Sequence, residues 1–475
     1  MYRRSISQKL FYVACGLGLF IVYHAWLKPT YLPPAPAPQA EHLVPPQAEA
    51  IPELPHEVAA PEPKQTRVID QTAVPDTKGH ELLEAIRDEI EKGNVKEAEM
   101  KLGDLPSWLV SNEKTRPYVA VLWNNLGIEQ EKSGGTASSV KAFKKAASLD
   151  TKNPAIQLNL AHAYWELRDP TMTPEYLGNL IALAPNEPFP HVALADMLQE
   201  QDRLEEAAHH LDLAADRAGK DPGVQSYLRA VTAKVRQTGK LEQRLNSRES
   251  THFTVKYDGD ADQGTWTTVL EILEDAYREI GQKLNYFPSK PIVVVLHPTE
   301  SFQSATGSPA WADGLYDPVL GRIQVPTQGA LTDQAWLRQV LRHEFVHALL
   351  HDQLGLNATA VPTWLNEGLA ITLSADRWED LDQLRHQKFT VIPLPMLEGP
   401  WGGLPQDAAS VAYLEAYSAV QYMIDRYGMH RVHELLSHLK ARQALPTAMQ
   451  SQLSLSYEQF QTRWMEQLHE RTKKS

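Results

Sequence analysis

His343-Glu344-Phe345-Val346-His347, followed by Pro362-Thr363-Trp364-Leu365-Asn366-Glu367-Gly368-Leu369-Ala370, decides how this chain is read. Around the first run, Leu337, Val340, Leu341, Val346, Leu349 and Leu350 recur at helical spacing, which predicts a helix from residue 332 or 333 to 355. Residues four apart on a helix share a face, so His343 and His347 can converge on one ion. Glu344, one step round, can reach a water at that ion without binding the ion itself. The second run reads as another helix opening, with Pro362 in its first turn, and its Glu367 offers a third ligand. Two imidazoles, one carboxylate and an open fourth position make the catalytic form of a zinc site. With 18 histidines in the chain, H-E-x-x-H can also arise by chance on a solvated helix. The carboxylate of the second run favours the metal reading over that one.

HEFVH taken with WLNEGLA resembles the gluzincin metallopeptidases, most of all the bacterial peptidase-MA-like domain often found beside tetratricopeptide repeats. The resemblance covers about residues 250–475. It implies an α+β zincin-like domain, one Zn2+ ion held by His343, His347 and Glu367, Glu344 as general base, and hydrolysis of protein or peptide substrates. In the gluzincin aminopeptidases a tyrosine on a later helix hydrogen-bonds the developing oxyanion. Tyr413 best matches that position and Tyr417 is the alternative, unless both are tyrosines of an amphipathic helix with no such role. Gluzincins also hold extended substrate along an edge strand just before the H-E-x-x-H helix. Residues 321–325, with Gly321, Ile323 and Val325, are placed for such pairing, or else form an ordinary hairpin strand. The chain departs from the family in three places. Nineteen residues separate His347 from Glu367, one more than the aminopeptidase pattern usually has. Ile371 stands where thermolysin-like enzymes carry an aspartate. The exopeptidase motif G-x-M-E-N is absent, so an endopeptidase is the expected type.

The remainder of the chain predicts a multidomain protein. Arg3, Arg4 and Lys9 precede an apolar run over residues 10–27, whose 18 residues would span roughly 27 Å as a helix. This predicts a transmembrane segment with residues 1–9 in the cytoplasm and the bulk of the chain outside it. With the bacterial resemblance, that means a single-pass anchor in an inner membrane and a periplasmic body. The alternative is a cleaved signal peptide, although Tyr23-His24-Ala25-Trp26 offers no small-x-small site. A lipoprotein at Cys15 fits poorly, because the apolar run continues past it. Eleven of the 33 prolines fall between Pro29 and Pro63, and residues 28–79 read as an extended linker. Cys15 is the single cysteine, so no internal disulfide can form. A net charge of −13 without a basic block argues against nucleic acid as a partner.

Residues 80–240 carry a period. Leu126, Leu160, Leu194 and Leu228 are spaced 34 apart, and small residues follow the first three at Gly127, Ala161 and Ala195. Together with Trp123, Phe143, Ala146, Tyr164, Pro185, Ala207 and Ala214 this resembles tetratricopeptide repeats, an α-solenoid of helix pairs. Such repeats imply either a groove for a protein partner or a brace for the domain that follows. A polar joint is expected over 241–250, then a strand at 252–257, an amphipathic helix at 267–284, a buried strand at 291–297, and a hairpin pairing 314–317 with 321–325. Two other readings stay open: a repeat scaffold with a silent peptidase-like domain, and a metal-dependent domain acting on something other than peptides.

Overall fold

A computed structural model describes residues 79–473, except 134–135, 220–221, 260–263, 299–301, 303–304, 307–313, 327–332, 375–390, 400, 402–405 and 442. The predicted membrane segment at 10–27 and residues 28–78 of the linker lie outside the described residues. Among the described residues, no helix is long and apolar enough to cross a membrane. The chain divides into an N-terminal unit ending at Arg236 and a C-terminal unit beginning at Gln237.

The N-terminal unit is helical: α1 (His80–Glu91), α2 (Val95–Gly103), α3 (Ser107–Ser111), α4 (Arg116–Lys132), α5 (Thr136–Leu149), α6 (Pro154–Glu166), α7 (Pro174–Leu183), α8 (Phe189–Glu200), α9 (Leu204–Arg217) and the start of α10 (Pro222–Glu242). Several helix starts are written in the sequence. Asn153 and Thr173 accept hydrogen bonds from the Ile156 and Tyr176 amides, each just before a proline at the first helical position. The four leucines of the 34-residue period fall on α4, α6, α8 and α10, and all are buried. Gly127 explains the small residue beside the first of them. A Cβ there would stand 2.7 Å from the Phe143 ring, so α4 and α5 meet closer than any larger residue allows.

The C-terminal unit is mostly helical around a small sheet. Its strands are β1 (Asn246–Glu249), β2 (Phe253–Tyr257), β3 (Ile292–His297), β4 (Leu315–Asp317) and β5 (Arg322–Pro326), in the order β1-β2-β3-β5-β4. β2, β3 and β5 run parallel, while β1 and β4 pair antiparallel at either side. β1 falls inside the segment expected to be a polar joint. All four of its residues are exposed, so it shows no apolar alternation from which to read a strand. After the first strands comes α11 (Thr265–Leu284), which buries Val269, Leu273, Ala276 and Ile280 along one stripe.

The sheet order corrects one expectation. Gly321, Ile323 and Val325 are not an open edge: β5 lies between β3 and β4, and β4 is the outer strand. Arg322 and Gln324 look like solvent-facing alternates of Ile323 and Val325, yet both are buried. Arg322 donates to the Glu242 carboxylate, and Gln324 meets His297 at 2.9 Å and the Asp317 carboxylate at 3.4 Å. Satisfied polar groups are what let a strand with polar alternates sit inside a sheet. Gly321, with φ of +65°, takes the left-handed position in the turn that joins β4 to β5.

Two helices then carry the decisive motifs. α12 (Gln334–Leu354) starts where Asp333 accepts hydrogen bonds from the amides of Ala335 and Trp336 at 3.1 and 3.0 Å, and it stops at Gly355 with φ of +59°. α13 (Thr363–Ser374) follows a short 3-10 turn. The remaining helices are α14 (Gln406–Tyr427), α15 (Met429–Lys440), α16 (Leu445–Leu453) and α17 (Tyr457–Lys473). A continuous apolar core joins the sheet, α11, α12, α13 and these later helices. α13 lies against α14 with almost no space between them: a Cβ on Gly368 would stand 2.4 Å from the Ala416 carbonyl oxygen and 2.5 Å from Val420.

Because Gly368 meets backbone rather than a movable side chain, Gly368→Ala is expected to lower stability by about 1–3 kcal/mol through overpacking. The check is the urea midpoint of the purified chain. An unchanged midpoint would mean that α13 and α14 separate at no cost.

Candidate metal centre

The paired motifs meet in the core. His343 and His347 sit one turn apart on α12 with their Nε2 atoms 3.0 Å from each other. Glu367 Oε2, brought by α13, lies 3.6 Å from His343 Nε2 and 3.7 Å from His347 Nε2. A triangle with these sides has a centre about 2.0 Å from each corner, which is the bond length of zinc to imidazole nitrogen and carboxylate oxygen. The donor set therefore fits a zinc ion. His343 is 0% exposed, Glu367 2% and His347 6%. A carboxylate buried this deeply between two imidazoles needs a positive charge beside it.

The protonation of the histidines suits the same ion. Burial holds the His343 ring well below the ordinary histidine range, and its neighbour His347 adds to the effect. Burial also pushes His347 down to about 4, against a smaller upward pull from its hydrogen bond to Asn366. Both rings are thus neutral near pH 7, with a lone pair free to bind metal. His347 Nδ1 lies 3.1 Å from the Asn366 side-chain oxygen, so Nδ1–H donates there and Nε2 is left facing the ion position. Asn366 is the residue that sequence reasoning missed. Ile371, which stands where thermolysin-like enzymes carry an aspartate, is packed in the apolar core. The signal was the residue directly before Glu367, which shares the motif with it.

Glu344 stands beside the ligands and is 1% exposed. Its Oε2 accepts a 2.7 Å hydrogen bond from the backbone N–H of Tyr316, on the outer strand β4. The strand can come this close because residue 314 is glycine: a Cβ there would stand 2.5 Å from Val340 and 3.3 Å from Glu344 Cγ. The Tyr316 hydroxyl reaches His351 Nδ1 at 2.9 Å, so His351 ties β4 to α12 rather than serving only the helix end. Arg342 fixes the two motif helices together. Its Nε donates to the Ser374 carbonyl at 2.9 Å while its other end pairs with Glu279.

The other residues named from sequence lie on α14, on β5 and in the turn before β5. Tyr413 is on α14, buried, with its ring edge-on to Trp401 at 5.0 Å. Tyr417, one turn on, is buried as well. Ile323 and Val325 point into the apolar core. Between the two tyrosines Glu415 is also buried, and its carboxyl accepts from the Ile392 amide at 3.0 and 3.1 Å. Burial raises that carboxyl to about 8, with the amide pulling the other way.

Residues 283–470 match the profile of the Peptidase MA superfamily. The C-terminal unit therefore contains a peptidase-MA-like domain of metallopeptidase type, and the matched span includes His343, Glu344, His347 and Glu367. Members of this superfamily are generally zinc-dependent. No curated protein matches the chain.

Two outcomes follow from these contacts. Asn366→Ala should weaken zinc affinity about 10–100-fold, as loss of a group that orients a ligand does. Competition with a chromophoric chelator reads this, and undiminished affinity would remove Asn366 from the site. For Glu415, the folded carboxyl titrates above its unfolded value. Its contribution to stability is then complete below about pH 4.5 and is lost as pH rises through about 8. Glu415→Gln should accordingly gain stability over the parent at pH 8 more than at pH 5. Equal gains in urea midpoint at both pH values would contradict this.

Proposed function

We propose that the chain is a zinc metalloendopeptidase of gluzincin type, hydrolysing peptide bonds of protein or peptide substrates. The observation that carries the reading is the triangle of His343, His347 and Glu367 with Glu344 held beside it. When bound, zinc supplies Lewis acidity and makes water a nucleophile near neutral pH. His343, His347 and Glu367 hold the ion, and Asn366 keeps the His347 ring turned toward it. Glu344 accepts the proton of the attacking water and passes it to the leaving amine nitrogen. The Tyr316 amide occupies one oxygen of Glu344 and so fixes the direction in which the other can take a proton. Tyr413 donates its phenolic hydrogen to the developing oxyanion. Extended substrate pairs with β4, the outer strand beside α12, rather than with β5.

The remaining assignments rest on sequence. The 34-residue period, with its leucines buried on alternate helices α4, α6, α8 and α10, supports tetratricopeptide-like repeats that recruit a protein partner or substrate. The basic flank and apolar run at 10–27 support an anchor in a bacterial inner membrane, with the catalytic domain on the periplasmic side.

The test uses the purified chain with an unfolded protein as substrate. The parent should cleave it and lose activity to a chelator. Glu344→Gln should keep its zinc and fall by several orders of magnitude in rate, while Glu367→Ala should lose the ion. Cleavage by Glu344→Gln at the parental rate would sink the assigned base. A parent that holds zinc but cleaves nothing would leave a silent domain attached to a repeat scaffold.

A further inference from the structure

The N-terminal unit gathers a second set of ligand-type side chains. Glu131 on α4 and His162 and Glu166 on α6 each present one ligand atom, and these atoms all lie within 4.8 Å of one another. His162 and Glu166 are four apart on one helix and share a face, with His162 Nδ1 3.2 Å from Glu166 Oε1. His162 is 5% exposed and Glu166 3%. Glu131 Oε1, both ring nitrogens of His162 and Glu166 Oε2 are shielded from solvent. The His162 ring lies against Phe189 at 5.3 Å and Trp165 at 6.2 Å, an apolar wall that lowers the local dielectric.

The charges make the grouping informative. Glu166 is the last residue of α6 and Glu131 the next to last of α4. Both carboxylates therefore sit where the helix dipole is negative. Like-charge repulsion, helix ends and burial all act against two anions in this place. A divalent cation would offset both charges and take the neutral imidazole as a third donor.

We propose that Glu131, His162 and Glu166 form a divalent-cation site that clamps α4 to α6. One imidazole nitrogen and two carboxylate oxygens are a donor set for zinc or a neighbouring first-row divalent ion. The site is separate from the centre on α12 and α13, uses none of its residues, and does not depend on the peptidase reading.

The experiment counts zinc in the full chain after chelator stripping and reloading with Zn2+. The parent, Glu131→Gln, His162→Gln and Glu367→Ala are compared by elemental mass spectrometry, with circular dichroism to check folding. Glu131→Gln and His162→Gln should each hold one zinc fewer than the parent. Glu367→Ala should retain that zinc, and its thermal midpoint should rise when Zn2+ is added. The rise should vanish in the Glu367→Ala, His162→Gln double variant. Should His162→Gln fail to fold, Glu131→Gln, at the less buried ligand, carries the comparison. Equal zinc content in the parent and the folded variants would overturn the proposal and leave a metal-free ion pair. The difference between variants is read whether or not the first centre binds metal, so each reading fails on its own evidence.

Discussion

The C-terminal unit is built around a carboxylate that has no business in a protein core without a cation. Glu367 is buried against two imidazoles whose burial keeps them neutral, so neither ring carries a positive charge near pH 7. A zinc ion would supply one, and the spacing of the three ligand atoms leaves room for it at ordinary bond lengths. Folding and metal binding would then be coupled, because the same burial that makes the apo site costly makes the loaded site favourable.

Much of the surrounding structure can be read as holding that arrangement. Asp333 fixes where α12 starts, and thereby the phase at which His343 and His347 face inward. Gly368 lets α13 press onto α14, which fixes the depth of the neighbouring Glu367. Gly314 lets β4 approach α12 until a backbone amide meets Glu344. Arg342 fastens α12 to the far end of α13. Each of these is a small residue or a single polar contact. Each acts by setting a distance, as a preorganised site requires.

The grouping of the candidate ligands was legible because they sit in short local patterns. His343 and His347 need only helical spacing, Glu367 only its motif, and the strands at 253–257 and 292–297 only their alternation or apolar run. What stayed hidden was tertiary. Sheet order cannot be read from a hairpin, so β5 looked like an edge when it was interior. The clue was spread over Glu242, His297 and Asp317, which satisfy its polar side chains from distant parts of the chain. β1 was invisible because nothing apolar marks it. Asn366 was in plain view, but its role depends on the orientation of a ring on another helix. The pairing of Glu131 with His162 and Glu166 likewise required two helices to be brought side by side.

The account stands or falls on where the metal sits. Anomalous diffraction at the zinc absorption edge, from crystals of the zinc-loaded chain, locates the ion without reference to activity. The account predicts a peak bonded to both imidazole nitrogens of α12 and to the carboxylate of α13, with one coordination position left to solvent. An ion bound with Glu367 turned away, or no peak between these residues in a chain that still cleaves protein, would contradict it.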